Sequence, residues 1–218
     1  IVSQPKTEYV YGEKLDLSNA KARITYDSGY VEDNVPFTEL GEYGVTIGYP
    51  NDDGTITAAK DGDVLTVPDH NGKCIELLAQ STHKVPTVQT DNLTVEKRVL
   101  EYGECIVNPI VYDGKTLQTT GTIAFSNVQN NDKVTATGEF SFEDFNAGKD
   151  KTVNILNVKL DKPFDDNYEL SSDNVLSKGN IEKATLTVLL KEDDISISDE
   201  SNILTVTAPE MTQFEIDG

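Results

Sequence analysis

Clustered carboxylate and amide oxygens are the residues of this sequence whose types and spacing most directly suggest chemistry. Asn51-Asp52-Asp53-Gly54 and Asp165-Asp166-Asn167 each offer several hard oxygen atoms, which are the ligands that Ca²⁺ prefers. Neither run has the ligand spacing of an EF-hand loop. Exposed acids in turns explain both runs equally well. We therefore predict no metal site and no cofactor, with calcium at these two runs as the alternative.

The same sequence holds no recognisable catalytic motif. No nucleophile-elbow serine, no glycine loop for phosphate or dinucleotide and no His-Glu-x-x-His pattern occurs. The histidines, His70 and His83, lie in turn-rich stretches without a partner at metal-ligand spacing, so we expect them to be exposed. Paired carboxylates alone would permit glycoside hydrolysis, but these acids fall in turns and on polar strand faces. We predict no catalytic residue and no enzymatic activity.

Aromatic side chains are the remaining candidates for a binding surface, because sugar-binding sandwiches usually present aromatic platforms. The chain has no Trp, nine Tyr and seven Phe. Tyr30 and Phe37 follow the turn at Gly29 and are the best candidates for exposed rings. Most other rings fall in the apolar phase of predicted strands and are expected in the core, for example Tyr26, Tyr43, Phe140 and Phe142.

The charge of the chain limits its partners. Its 218 residues carry a formal net charge of −20, and such a field repels nucleic acid and anionic lipid. The simplest role of this charge is to keep an extracellular protein soluble, and the recruitment of cations or basic partners is the alternative. No apolar run approaches the ~18–20 residues of a membrane helix. We expect a monomer without a nucleic-acid partner or direct membrane insertion, which binds an unknown protein or glycan ligand.

The elements that must position these residues are strands. From Val134 to Phe142 the even positions are apolar or small, whereas the odd positions from Lys133 to Glu143 are polar. This period of two is typical of a strand with one buried face and one wet face. Similar alternation recurs along the chain, and we expect at most one helical turn, around Ser171 to Ser177. The pattern predicts an all-β protein.

Short motifs in the second half of the chain occur in a specific order and spacing. They are Tyr112-Asp113-Gly114, Asn131-Asp132-Lys133-Val134, Ala147-Gly148-Lys149-Asp150-Lys151-Thr152-Val153, Asp166-Asn167-Tyr168-Glu169-Leu170 and Ile181-Glu182-Lys183-Ala184. The series resembles the YDG domain, an Ig-like β-sandwich module repeated in bacterial surface and secreted proteins, over about residues 98–190. The resemblance implies turn and packing roles for these residues and carries over no catalytic or ligand residue.

The start of the chain carries a second resemblance. It rests on Pro5-Lys6-Thr7, Tyr9, Gly12-Glu13 and Leu15-Asp16-Leu17, followed by Ile24-Thr25-Tyr26-Asp27-Ser28-Gly29. This string is similar to the bacterial Ig-like group 3 domains, which are also extracellular β-sandwich modules. It covers the first half of residues 1–97.

Together these observations predict two tandem immunoglobulin-like β-sandwich domains, residues 1–97 and 98–190. Residues 191–218 are too few for another sandwich and form either a C-terminal β-hairpin extension or the start of a truncated module. Cys74 and Cys105 fall on opposite sides of the boundary near Lys97. We interpret both as buried small apolar residues rather than as a disulfide.

The predicted function is non-catalytic. We expect a module pair of a bacterial cell-surface or secreted protein that acts in adhesion, or as a spacer that holds a binding head away from the cell wall. The alternative is an accessory carbohydrate-binding region of a larger extracellular enzyme, for which binding lost in a Tyr30→Ala variant would be the sign.

Overall fold

The computed structural model describes residues 1–80, 87–185, 195–198 and 203–206, and regular structure there is dominated by short strands. The predicted all-β class is therefore confirmed. The strands are β1 (Glu8–Val10), β2 (Lys21–Thr25), β3 (Val31–Pro36), β4 (Val45–Pro50), β5 (Ile56–Ala58), β6 (Glu76–Ala79), β7 (Val88–Gln89), β8 (Thr94–Glu96), β9 (Arg98–Leu100), β10 (Ile106–Val107), β11 (Ile110–Val111), β12 (Gln118–Thr119), β13 (Gly121–Thr122), β14 (Ala136–Phe142), β15 (Gly148–Leu160), β16 (Tyr168–Leu170), β17 (Val175–Glu182), β18 (Ile195–Ser198) and β19 (Ile203–Val206).

Helical structure is short and does not occur where the sequence predicted it. The helical turn expected around Ser171 to Ser177 is wrong, because β17 already begins at Val175. Helical turns occur instead at α1 (Val67–His70) and at two 3-10 helices, Phe37–Tyr43 and Phe164–Asp166. Each has a proline in its first turn or just before it, where the missing N–H of proline costs no intrahelical hydrogen bond. We find no helix in the described residues that is long and apolar enough to cross a bilayer.

The chain divides into two compact units that are built from interleaved segments. The first unit contains residues 1–103, 124–137 and 159–173. The second contains residues 104–123, 138–158 and 174–218. The domain boundaries predicted at residues 97 and 190 stay predictions.

The first unit holds small sheets around a main apolar cluster. β2 and β3 form a hairpin, β5, β4, β6 and β7 form an antiparallel sheet in that order, and β1 pairs with β8 in parallel. The cluster collects the inward residues of these strands, and burial of each large side chain contributes about 1.5–3 kcal/mol. Its fully buried large members are Leu15, Leu17, Phe37, Leu40, Leu65, Ile75, Leu93 and Val95.

A second apolar cluster in the same unit joins residues that are far apart in the sequence. Tyr11, Leu100 and Tyr168 are buried at its centre, where β9 pairs in parallel with β16. The rings of Tyr11 and Tyr168 meet edge to face with their centroids 5.0 Å apart. Partly buried residues pack around them, namely Val67, Phe125, Val128, Val134, Leu160, Phe164 and Leu170.

The second unit is organised by a five-stranded sheet with the order β11, β17, β15, β14, β12. The alternation predicted for β14 is confirmed, because Phe140 and Phe142 are buried whereas Glu139 is exposed. Val153 and Ile155 of β15 are also fully buried. β10 pairs with β13 beside this sheet.

The strands predicted near the C-terminus form an antiparallel pair. Ile195 of β18 lies opposite Val206 of β19, and Ser198 lies opposite Ile203. Whether this pair extends the second predicted module or begins another one stays a prediction. Ala184, Leu186, Val188 and Leu190 also alternate in the sequence and predict a further strand, but residues 186–190 lie outside the described residues.

The two cysteines are buried as predicted. Cys74 precedes β6 in the first unit, and Cys105 precedes β10 in the second unit. Burial raises the pKa of the Cys74 thiol, and the nearby carboxylate of Glu76 adds to the effect. A buried thiol that is hard to ionise behaves as a small apolar side chain, which agrees with the interpretation from sequence.

Tyr49→Phe is expected to stabilise the protein by about 1 kcal/mol. Tyr49 is 3 % exposed, and its hydroxyl is buried without a hydrogen-bond partner among the described residues. Removal of a desolvated polar group that makes no bond relieves its desolvation cost and leaves the ring packed edge-on against His70. Urea unfolding followed by circular dichroism measures the change.

Tyr168→Phe is the matched control for this variant. The Tyr168 hydroxyl donates to Asp132 Oδ2 at 2.8 Å and accepts the Gln129 N–H at 2.9 Å. Its loss should destabilise the protein by about 1–2 kcal/mol. If Tyr49→Phe unfolds at as low a urea concentration as Tyr168→Phe, the Tyr49 hydroxyl has a stabilising partner and the prediction is wrong.

Candidate functional site

The first acidic run closes the hairpin between β4 and β5. Asp53 Oδ1 accepts the Thr55 N–H at 2.9 Å and the Thr55 hydroxyl at 2.6 Å, and these bonds lower the pKa of the Asp53 carboxyl. The Gly54 N–H donates to the Asn51 carbonyl at 3.0 Å, and Gly54 has a φ of 80°. Oxygen atoms of this run therefore hold the turn, as expected for an Asx turn.

The second acidic run is also occupied by contacts within the chain. Lys162 Nζ lies 2.9 Å from Asp165 Oδ2 and 3.6 Å from Asp166 Oδ1. Asn167 Oδ1 accepts the Val67 N–H at 2.8 Å, which ties β16 to the start of α1. Across the described ranges, no three His, Cys, Asp or Glu side chains converge as metal ligands. Oxygen atoms of both runs thus make contacts within the chain, whereas Asp165 Oδ1 is buried without a hydrogen-bond partner among the described residues. The absence of a metal site stays a prediction.

His70 differs from its prediction. We expected an exposed loop histidine, but His70 is half-buried at the end of α1. Its Nδ1 accepts the Thr66 N–H at 3.0 Å, and its ring packs against Tyr49 with a centroid distance of 4.8 Å. These contacts give His70 a packing role. His83 lies outside the described residues.

A carboxylate-capped turn lies between β11 and β12. Asp113 Oδ1 accepts the N–H groups of Lys115 at 2.9 Å and Thr116 at 2.7 Å, and Asp113 Oδ2 accepts the Thr116 hydroxyl. Gly114 has a φ of 78°, a conformation that glycine adopts without steric cost. Asp113 and Gly114 are therefore needed by the turn itself.

A carboxylate also links two buried tyrosines. Asp132 Oδ2 accepts the hydroxyls of Tyr11 at 2.9 Å and Tyr168 at 2.8 Å. Asp132 follows Asn130 and Asn131, which have φ values of 54° and 58°. Asparagine tolerates this left-handed conformation better than most residues, so the local sequence permits the turn that presents Asp132.

The turn at Asp113 and the Asp132–Tyr168 contact both belong to the motif series found in the sequence. Residues 109–175 match the YDG domain. The match takes in residues of both compact units. No curated protein and no solved structure gives a significant match to this chain. The structure thus gives the named residues of the YDG domain turn and packing roles.

The turn at Asp113 predicts that the stability of the protein depends on pH in the acid range. Hydrogen bonds from Thr116 and Lys115 lower the pKa of Asp113 from the usual 3.8 to about 2. The folded protein thus keeps this carboxylate charged at pH values where the unfolded chain protonates it. Relative to Asp113→Asn, the wild-type stability advantage should be constant above about pH 4 and should vanish as the pH falls from about 4 to about 2. Thermal midpoints of both proteins across this range measure it.

Thr116→Val tests whether the hydrogen bond from the Thr116 hydroxyl, rather than the overall charge of the protein, lowers the pKa of Asp113. The Thr116 side chain is the largest contributor to the low pKa of Asp113. Its nearly isosteric replacement should move the acid limb of the stability profile to higher pH. A profile that is unchanged in Thr116→Val would contradict the role given to this hydroxyl.

The exposed aromatic candidates change once the structure is known. The prediction that the Phe37 ring is exposed is wrong, because the residue is 2 % exposed and packs into the main cluster at the start of the 3-10 helix. Leu40 is buried beside it, and the spacing Phe37-x-x-Leu40 matches the three-residue period of a 3-10 helix. The prediction that Tyr26 lies in the core is also wrong, because this residue is 40 % exposed. Tyr30 is exposed as predicted.

Tyr26 and Tyr30 form an aromatic pair at the tip of the β2–β3 hairpin. The loop Asp27-Ser28-Gly29 separates them, Gly29 has a φ of 83°, and the Tyr26 N–H donates to the Tyr30 carbonyl at 2.9 Å. A three-residue loop that ends in a left-handed glycine is a common hairpin connection. It places the two rings beside one another with centroids 5.8 Å apart. The spacing Tyr-x-x-Gly-Tyr is the sequence signal for this pair.

An open groove in the first unit contains basic side chains. It has a volume of about 750 Å³ and is lined by β8, β9 and the residue between them, together with Val10, Val67, Asn71 and Glu169. Its two basic side chains are engaged, because Arg98 Nε donates to the Tyr11 carbonyl at 2.8 Å and Lys97 Nζ donates to the Asp165 carbonyl. These cations therefore fasten backbone segments of the first unit.

Proposed function

We propose that this chain is a non-catalytic pair of immunoglobulin-like β-sandwich modules from a bacterial cell-surface or secreted protein. The modules correspond to residues 1–97, whose first half resembles an Ig-like group 3 domain, and residues 98–190, which contain the YDG motif series. They act in adhesion or as a spacer that carries a binding head away from the cell. Residues 191–218 extend the second module or begin another.

The observation that carries this proposal is the use of the acidic residues. Carboxylates at Asp53, Asp113 and Asp132 accept bonds from their own turns or from buried tyrosines rather than converging on a common point. Residues of the YDG match serve turns and packing in the same way. An all-β chain with acids used in this manner is suited to a structural or adhesive task.

The extracellular location is supported by charge and by module type. A net charge of −20 keeps a displayed protein soluble and discourages contact with nucleic acid. The YDG resemblance points to surface and secreted proteins of bacteria.

Antibodies raised against the purified chain test the location. We expect them to label intact cells of the organism that encodes it, and protease added outside the cells should remove the label. Label that appears only after permeabilisation would overturn the surface assignment.

Replacement of this chain within the parent protein distinguishes an adhesive role from a spacer role. Deletion of residues 1–218 from the parent protein should reduce attachment of the cells to their target. An unrelated pair of β-sandwich modules of similar length should restore attachment if the chain is a spacer, and should not restore it if the chain binds the target. Attachment that is unaffected by the deletion would contradict both roles.

A carbohydrate-binding region of a larger extracellular enzyme is the second candidate. The exposed pair Tyr26 and Tyr30 supports it, because adjacent rings offer a stacking surface to a sugar. A glycan array with the wild type and Tyr30→Ala tests it. Specific sugar binding that is lost in the variant would favour this candidate over adhesion to protein.

A further inference from the structure

The tip of the β2–β3 hairpin exposes an apolar composition that is unusual for a solvated turn. Tyr30 is 60 % exposed, Tyr26 is 40 % exposed, and the neighbouring Val31 is 40 % exposed. Isolated exposed apolar residues are common, but three within six positions at one hairpin tip form a patch. We call Tyr26, Tyr30 and Val31 the hairpin patch.

Tyr43 and Glu32 border the hairpin patch. The Tyr30 hydroxyl donates to Glu32 Oε1 at 2.9 Å, which fixes the ring beside a carboxylate. Tyr43 ends the 3-10 helix Phe37–Tyr43 and lies close enough to Glu32 and Tyr26 for both to raise its pKa, after the larger effect of its own desolvation. Two exposed phenol rings and a carboxylate therefore lie together at the hairpin tip, and Tyr43 packs partly against the main cluster.

The charge of this segment has a single sign. Between residues 26 and 43 the sequence contains Asp27, Glu32, Asp33, Glu39 and Glu42 and no Lys or Arg. The nearest cation in sequence, Arg23, is held by Asp33 with Nε 2.5 Å from Oδ1. A ring face has a negative quadrupole, and nearby carboxylates strengthen its attraction for a cation.

The same combination holds a lysine elsewhere in this chain. Lys6 Nζ lies 4.6 Å from the centroid of the Tyr9 ring and 3.2 Å from Glu13 Oε1. A tyrosine ring and a carboxylate thus bind one ammonium group within the first unit. At the hairpin patch, Tyr30 and Glu32 offer the same two kinds of group, a phenol ring and a carboxylate.

We propose that the hairpin patch with Tyr43 and Glu32 binds a lysine side chain in a basic segment of a partner protein. The ammonium group lies against the faces of Tyr26 and Tyr30, and the Glu32 carboxylate neutralises it. The methylene stem of the lysine packs on Val31. A neutral sugar would use the rings but not the surrounding charge, so charge complementarity favours the basic segment. This assignment goes beyond the proposed function, because it holds for a spacer as well as for an adhesin.

Titration with a hexalysine peptide tests the proposal on the full chain. We expect nuclear magnetic resonance shift changes centred on residues 26–32 and 43, and a hexalysine peptide with acetylated side chains should cause none. Tyr30→Ala and Tyr26→Ala keep the net charge and should each weaken binding by about two- to five-fold, the size of an exposed cation–π contact. Both rings are exposed, so the variants should keep the melting temperature of the wild type.

Charge controls distinguish this site from bulk attraction between a polycation and an acidic protein. Glu32→Gln and Asp52→Asn each remove one negative charge, but only Glu32 borders the patch, so Glu32→Gln should weaken binding more. Equal effects of these two variants, with no effect of Tyr26→Ala or Tyr30→Ala, would overturn the proposal in favour of diffuse electrostatics. Sugar binding lost in Tyr30→Ala without any hexalysine binding would overturn it in favour of a glycan site.

Discussion

Asp132→Ala is expected to lower the free energy of unfolding by about 2–4 kcal/mol. Asp132 Oδ2 accepts the hydroxyls of both Tyr11 and Tyr168, which are 5 % and 1 % exposed. Loss of the carboxylate removes an acceptor from two buried donors, at a cost of about 1–3 kcal/mol for each donor left unbonded. The Gln129 carbonyl, 3.3 Å from the Tyr168 hydroxyl, offsets part of this loss. Equilibrium unfolding in urea at neutral pH measures the loss.

A double-mutant cycle shows whether the effect acts through Tyr168. If it does, Asp132→Ala should cost at least about 1 kcal/mol less in a Tyr168→Phe background than in the wild type. Asp52→Ala is the matched control, because Asp52 is exposed in a turn and its removal should change stability by less than about 0.5 kcal/mol. An Asp132→Ala protein as stable as Asp52→Ala would show that the tyrosine contacts do not stabilise the fold.

Gly121→Ala is expected to destabilise the protein by about 3 kcal/mol or more. A Cβ at this position would lie 2.2 Å from the Ile106 carbonyl oxygen and 2.6 Å from Cε1 of Phe140. The carbonyl belongs to β10, whose pairing with β13 fixes its position, and the ring is buried in the second unit. Neither neighbour can move without loss of strand pairing or core packing, so thermal and urea unfolding should both shift strongly.

Gly148→Ala is the control for the second unit. Its Cβ would meet only the Lys151 side chain, at 3.5 Å, which is an ordinary contact. This variant should stay within about 1 kcal/mol of the wild type. Similar losses in Gly121→Ala and Gly148→Ala would mean that backbone freedom, rather than the close approach of β10, explains the glycine at 121.

Several features of the candidate site could be predicted because they depend on nearby residues. The turns at Gly29, Gly54 and Gly114 follow from Asp, Asn and Gly in short runs, and each of these glycines has a positive φ. The alternation in β14 predicted its buried face, since side chains in a strand point to opposite sides in turn. The interpretation of Asn51–Gly54 as a turn agrees with the bonds made by Asp53.

Other features escaped prediction because alternation along a strand indicates which side chains share a face, but not whether another element covers that face. Tyr26 continues the apolar phase of Ala22 and Ile24, yet it lies at the end of the hairpin, where no described element buries it. Phe37 follows β3 directly, and the 3-10 helix that begins at Phe37 turns its ring inward. An i, i+3 pattern in a segment this short is too weak a signal to outweigh its polar surroundings.

The sequence by itself determined that this protein is built from strands, that its acids cap turns, and that a YDG domain occupies part of its second half. These properties depend on neighbours along the chain, so backbone sterics and short hydrogen bonds suffice to specify them. Only the tertiary structure decided that the Asp132 carboxylate binds Tyr11, 121 residues earlier in the sequence, as well as Tyr168. It also decided that Tyr26 and Tyr30 face solvent together. Such contacts depend on which segments fold against each other, because burial is a property of the assembled core and not of any local pattern.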